Sequence, residues 1–92
     1  MLHNLTNVPN PFGAQTAIRY TLKTSAPVTV QVFDQSGRLV RTIVRSNAQV
    51  PGPHEVSWDA RDETGRRATN GVYFARILAG SEVFARKMVL LP

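Results

Sequence analysis

Cysteine is absent from the 92 residues, which excludes a disulfide frame and any thiolate metal site and leaves the redox character of the compartment open. Histidine is scarce: His3 and His54 stand far apart, and a metal site built on them would need carboxylates to complete it. Apolar runs nowhere approach the roughly 18 residues of a membrane helix, so no membrane span is expected. The opening MLHNLTNVPNPFG has neither the basic lead nor the apolar stretch of a secretory leader. Met1 reads as the start of a piece excised from something larger. Helical periodicity is nearly missing as well.

What is present is short alternation rich in Val, Ile, Thr and aromatics, punctuated by turn residues. TAIRYTL places Ile18, Tyr20 and Leu22 on one face and Arg19 and Thr21 on the other. PVTVQVFD places Val28, Val30 and Val32 opposite Thr29, Gln31 and Phe33. In DQSG, Asp34 can hydrogen-bond backbone two residues on and Gly37 can take positive φ, so RLVRTIV is expected to return as a hairpin. VPGPHE breaks the chain, with Pro51 and Gly52 suited to the centre of a type II turn. HEVSW then directs Val56 and Trp58 inwards, and Trp58, the single tryptophan, is expected to bury more area than any other side chain.

The stretch DARDETGRRATNG has no apolar period and reads as a loop closing on Asn70-Gly71. VYFARILA and EVFARKMVLL flank Gly80-Ser81, a pair that suits a two-residue II′ turn. That register sets Leu78 opposite Val83, Ile77 opposite Phe84, Phe74 opposite Lys87 and Tyr73 opposite Met88. Tyr73, Ile77, Phe84, Met88 and Leu90 then share the core face, and Arg76 and Lys87 the solvent face. Arg86 falls on the inner side unless it lies at a sheet edge or a bulge shifts the register. Six strands, with a seventh around Leu5 to Val8, predict an all-β fold: an immunoglobulin-like antiparallel β-sandwich. The expected organisation is one domain over 1–92, with a linker-like lead-in over 1–13 and the sandwich over 14–92. A chain this short hides only about 60 to 65% of its unfolded surface, so the core must be thin.

Chemistry is hard to find. His54 is the one histidine placed to act as a base, but it reads as an exposed turn residue beside Glu55, without the enclosure that marks active sites. Asp59, Asp62 and Glu63 share a loop with Arg61, Arg66 and Arg67, which would neutralise them. The loop lacks the dense acidic alternation of a calcium site, and the glycines are single, so no phosphate cradle is formed. The expectation is therefore no enzyme, no catalytic residue, no metal and no cofactor. Net charge is +5, and nine of the eleven cations are arginine, a balance that favours anionic company. Arg41, Arg45, Arg61, Arg66, Arg67, Arg76, Arg86 and Lys87 are scattered rather than interleaved with aromatics, so nucleic acid is not the expected partner.

Taken in order, NVPNPF at 7–12, TAIRYTL at 16–22, VTVQVFDQSGRLVRTI at 28–43, GPHEVSWDARDETGRRATNGVYFARI at 52–77 and RKMVLL at 86–91 resemble the type A C-terminal sorting domain of the type IX secretion system. The resemblance implies a module at the end of a larger secreted enzyme or adhesin. It would carry that cargo through the periplasm to the outer-membrane translocon, for a surface sortase to cleave it and attach the cargo to anionic lipopolysaccharide at the cell surface. The positions matching the sorting motifs are Gly71 and Tyr73 in Gly-x-Tyr, and Lys87, Met88, Val89 and Leu90 in the terminal motif. Pro92 stands where a polar or basic residue is common. The chain is also similar to the immunoglobulin-like domain of flagellar hook-capping protein, an assembly module that shares the Trp-Asp and Gly-x-Tyr succession. The terminal RKMVLLP after an upstream PNPF favours sorting. A third reading, an accessory carbohydrate-binding module, would need an exposed aromatic row, whereas Tyr20, Trp58, Tyr73 and Phe84 are assigned to the core.

Overall fold

A computed structural model describes residues 2–91; Met1 and Pro92, and with them the expectation about the Pro92 end, lie outside it. Seven strands follow in order: β1 (Leu2–Val8), β2 (Thr16–Leu22), β3 (Ala26–Asp34), β4 (Leu39–Gln49), β5 (Gly52–Trp58), β6 (Gly71–Ala79) and β7 (Glu82–Leu90). They form a three-stranded sheet, β1-β2-β5, and a four-stranded sheet, β4-β3-β6-β7, and every strand pair is antiparallel. The inner faces cover each other, giving the immunoglobulin-like sandwich that the alternation predicts.

The alternating residues supply the core. Ile18, Tyr20 and Leu22 of β2, Val28, Val30 and Val32 of β3, Trp58 of β5, and Tyr73, Ile77, Met88 and Leu90 of β6 and β7 are all buried. The β6–β7 hairpin has the predicted register, with Ala79 facing Glu82 across a two-residue turn, and Gly80 takes φ 60° as a II′ turn requires. The Asp34 hairpin also forms as predicted, Gly37 at φ 90° included.

Three expectations need correction, and the alternative left open for Arg86 is decided. The lead-in is not linker-like: the seventh strand expected around Leu5 to Val8 forms as β1 and pairs with β2, and Phe12, outside any strand, is buried at 3% exposure. Phe84 keeps its register opposite Ile77 but is 36% exposed, because β7 is an edge strand and the smaller sheet does not extend over its start. Arg86 lies opposite buried Ala75 yet is exposed for the same reason; the edge, not a bulge, resolves its placement. Pro51–Gly52 is a bend between the two sheets rather than a type II turn, since Gly52, at φ 121°, is already the first residue of β5.

The outer face of the larger sheet is less polar than expected. Gln31 is buried at 8% beneath Arg76, whose Nη2 donates to Gln31 Oε1 at 2.9 Å while its guanidinium lies 4.5 Å from the Phe33 ring centroid. Arg76 is therefore half-buried, a planar cation stacked on an aromatic face, and not a solvated charge.

Candidate functional site

The two stretches singled out by the sorting resemblance are register partners. Gly71 faces Leu90, Val72 faces Val89, Tyr73 faces Met88 and Phe74 faces Lys87, so Gly-x-Tyr and the terminal motif form one short piece of ladder. Their duties divide by pleat. Tyr73, Met88 and Leu90 point into the core at 5%, 0% and 0% exposure, whereas Lys87 is exposed and Val89 half-exposed.

The backbone explains the glycine and a hydrogen bond explains the tyrosine. Gly71 adopts φ 150° with nothing within 4 Å of where a Cβ would stand, so the position excludes side chains by conformation and not by crowding. Tyr73 Oη donates to the carbonyl of Thr69 at 2.6 Å, tying the start of β6 back to the loop before it. This is the tyrosine corner of immunoglobulin-like sandwiches. Its ring meets Trp58 edge-on at 5.2 Å, and Phe12 meets Trp58 from another side at 5.7 Å. Trp58 Nε1 donates to the Arg61 carbonyl at 3.0 Å, so its one polar atom is satisfied in the core.

A further contributor was not legible in the strand pattern. Asn10 uses both ends of its amide on β7: Nδ2 donates to the Lys87 carbonyl at 3.1 Å, and Oδ1 accepts from the Val89 N–H at 2.9 Å. Phe12 continues the pairing, its N–H donating to Val89 O at 3.0 Å and its carbonyl accepting from Leu91 N–H at 2.9 Å. The PNPF segment thus seals the outer edge of β7 along the terminal motif. Only its place in the succession of motif-like stretches marked it in the sequence.

The loop from β5 to β6 has its own order. Asp34 and Asp62 head two matching turns, DQSGR and DETGR. In each, the aspartate Oδ1 accepts from the N–H and hydroxyl of the residue two on (Ser36, Thr64) and from the N–H of the arginine four on (Arg38, Arg66). The glycines sit at φ 90° and 88°, and each donates its N–H to its aspartate's carbonyl at 3.0 Å. The side-chain hydrogen bond from Ser36 is the main cause that lowers the Asp34 pKa, and the bond from Thr64 does the same for Asp62. Between the two turns lies an open cleft of about 540 Å³, floored by Leu39, Val40, Ala68 and Tyr73.

The remaining acids are engaged, but not with the expected partners. Asp59 pairs with Arg41 at 2.9 Å, and Glu63 accepts the Thr42 N–H. Arg61 and Arg67 go instead to backbone carbonyls, of Gly65 and Gly13. His54 is half-buried rather than exposed: it stacks on Tyr20 at 5.4 Å, and Nε2 lies 2.7 Å from the Val50 carbonyl. Its neighbour Glu55 is turned to Arg19 at 2.7 Å. Burial raises the Tyr20 pKa, and its hydroxyl donates to Gln49 Oε1 at 2.6 Å. Among the described residues no group of three or more His, Asp or Glu converges in a way that would hold a metal.

Solved structures share the architecture. PorZ of Porphyromonas gingivalis, described as an essential bacterial surface component of the type-IX secretion system, superposes with a TM-score of 0.70 at 22% identity, over 97% of this chain and 12% of its own. Dimeric latent PorU of the same organism gives 0.75 at 24% identity, over 95% of this chain and 9% of its own. The alkylpurine DNA glycosylase AlkC of Pseudomonas fluorescens, bound to DNA containing an abasic site analog, gives 0.66 at 14% identity over 99% and 30%. This chain therefore spans about a tenth of PorZ and PorU, and the three likenesses concern the fold. No curated protein matches the sequence significantly. The FlgD Ig-like domain model does match, over residues 8–82, a span that includes β2 to β6 whole and both aspartate turns. On its sequence and its sandwich alike, the chain belongs to the FlgD Ig-like domain family.

Proposed function

We propose that this chain is a non-catalytic sorting domain that directs a larger secreted cargo through the type IX secretion system to the outer membrane and cell surface, where the cargo is attached. The observation that supports the reading most is the pairing of the two motif-like stretches. Gly71 and Tyr73 lie opposite Leu90 and Met88, and the PNPF segment braces the same ladder, so residues scattered in sequence become one recognisable end. Lys87 and Val89 are the members left accessible for reading, while the others hold them in place. On this reading the partners are the translocon and sortase, anionic lipopolysaccharide, and a cargo enzyme or adhesin joined to the domain. The likeness to PorZ, a surface component of that system by its description, adds support at the level of fold.

A reporter fused to residues 1–92 in a host with this secretion system should reach the cell surface, and Lys87→Ala, which alters an exposed residue, should reduce export while the domain stays folded. A wild-type fusion that stays in the periplasm sinks the proposal. Family membership favours a second reading, a flagellar hook-cap-type assembly module. It expects a stable complex with a hook or surface protein in the absence of the secretion machinery.

A further inference from the structure

The hairpin register fixes which backbone groups of β7 face away from β6. With Ala79 and Glu82 as the closing hydrogen-bonded pair of a two-residue turn, Phe84, Arg86, Met88 and Leu90 direct their N–H and C=O groups at β6. Val83, Ala85, Lys87 and Val89 direct theirs outwards. The Asn10 and Phe12 bonds, which reach Lys87 O and both backbone groups of Val89, have the same phase. Outward groups of Val83 and Ala85, with the Lys87 N–H, take no part in those bonds.

Sheet edges are usually protected against pairing with another chain. Here β4 is broken by three register shifts, β1 by one, and β5 carries Pro53. The start of β7 has neither bulge nor proline, its register against β6 is continuous, and it presents Val83 at 59% and Phe84 at 36% exposure. Two cations, Arg86 and Lys87, complete the open stretch. A second copy is a poor occupant: antiparallel self-pairing about Ala85 would set Val83 of one copy opposite Lys87 of the other and Phe84 opposite Arg86, so neither cation would meet a carboxylate.

We infer that the open edge from Val83 to Lys87 is a strand-addition site for an extended segment of another protein that carries apolar residues opposite Val83 and Phe84 and carboxylates opposite Arg86 and Lys87. Main-chain bonds to Val83 and Ala85 would supply affinity, and the two cations would select an acidic strand over a neutral or basic one. The inference goes beyond the sorting proposal and does not depend on it, since an assembly module would use the same edge.

The test is NMR titration of the 92-residue protein with an acetylated, amidated peptide containing Glu-Glu-Thr-Val-Val. Expected are amide shifts and slowed hydrogen exchange at Val83 and Ala85, at least tenfold weaker binding when lysine replaces glutamate in the peptide, and loss of binding in Ala85→Pro. Proline there removes an outward N–H and no bond to β6. Arg86→Glu, at an exposed side chain, should weaken binding of the acidic peptide and strengthen that of the lysine peptide whether or not the proline variant folds. No shift at millimolar peptide, shifts that map elsewhere, or binding indifferent to Arg86→Glu would overturn the inference.

Discussion

Asp34 and Asp62 do by side chain what the backbone cannot do alone: each collects three hydrogen bonds on one carboxylate oxygen and fixes a glycine turn. Both carboxylates titrate below their ordinary value. A depressed folded-state pKa means that the unfolded chain binds the proton more tightly, so the stabilisation is present above the unfolded value, about 3.9, and is lost as pH falls through the folded one. Melting temperature should accordingly drop as pH falls from 5 towards 2, and the drop should be shallower in the Asp34→Asn, Asp62→Asn double variant. Trp58 is the other residue with a large expected effect. It is 1% exposed, touches Phe12 and Tyr73, and hydrogen-bonds Arg61; Trp58→Ala should cost about 3 to 5 kcal/mol in denaturant unfolding. Against a typical stability of about 5 to 15 kcal/mol, that leaves a marginal fold. The first of these turns and the tryptophan were legible in the sequence because short-range chemistry and size suffice to predict them. The half-buried Arg76 was not, because only strand pairing brings Gln31 and Phe33 beneath it.

At the scale of the element, β7 carries two unlike halves. Towards Leu90 it is sealed by Asn10 and Phe12, and towards Glu82 it is open among the described residues. Asn10→Ala removes two hydrogen bonds to the strand and should cost about 1 to 2 kcal/mol, with faster hydrogen exchange at the Val89 amide as the diagnostic sign. At the facing position on β6, Gly71→Ala places a side chain at φ 150°. A loss of about 1 to 3 kcal/mol is expected from the backbone alone, measurable in urea, since the added methyl meets no neighbour. The alternation in EVFARKMVLL assigned Phe84, Met88 and Leu90 to the core face and Lys87 to solvent, and the register is as predicted. Met88 and Leu90 are buried and Lys87 is exposed as assigned, but Phe84 is not buried. Period 2 says which way a side chain points, but whether something lies there depends on how far the opposite sheet reaches.

At the scale of the whole molecule, two layers of three and four strands enclose a thin core to which the last strand contributes two fully buried side chains, Met88 and Leu90. Truncation after Ala85 should therefore abolish the cooperative thermal transition, seen by circular dichroism, and any secretion defect of such a truncation would reflect unfolding rather than a lost signal. Point changes at Lys87 separate the two. By itself the sequence determined the all-β class, the β6–β7 register, the inward residues of β2, β3 and β6, and the placement of the turns, because alternation and turn chemistry act within a few residues. Only the tertiary structure decided that Phe12 joins the core, that Asn10 clasps the end of β7, and that among the described residues the edge from Val83 to Lys87 is left open. Those outcomes depend on contacts between residues far apart in the chain, where no local preference applies and the geometry of packing chooses.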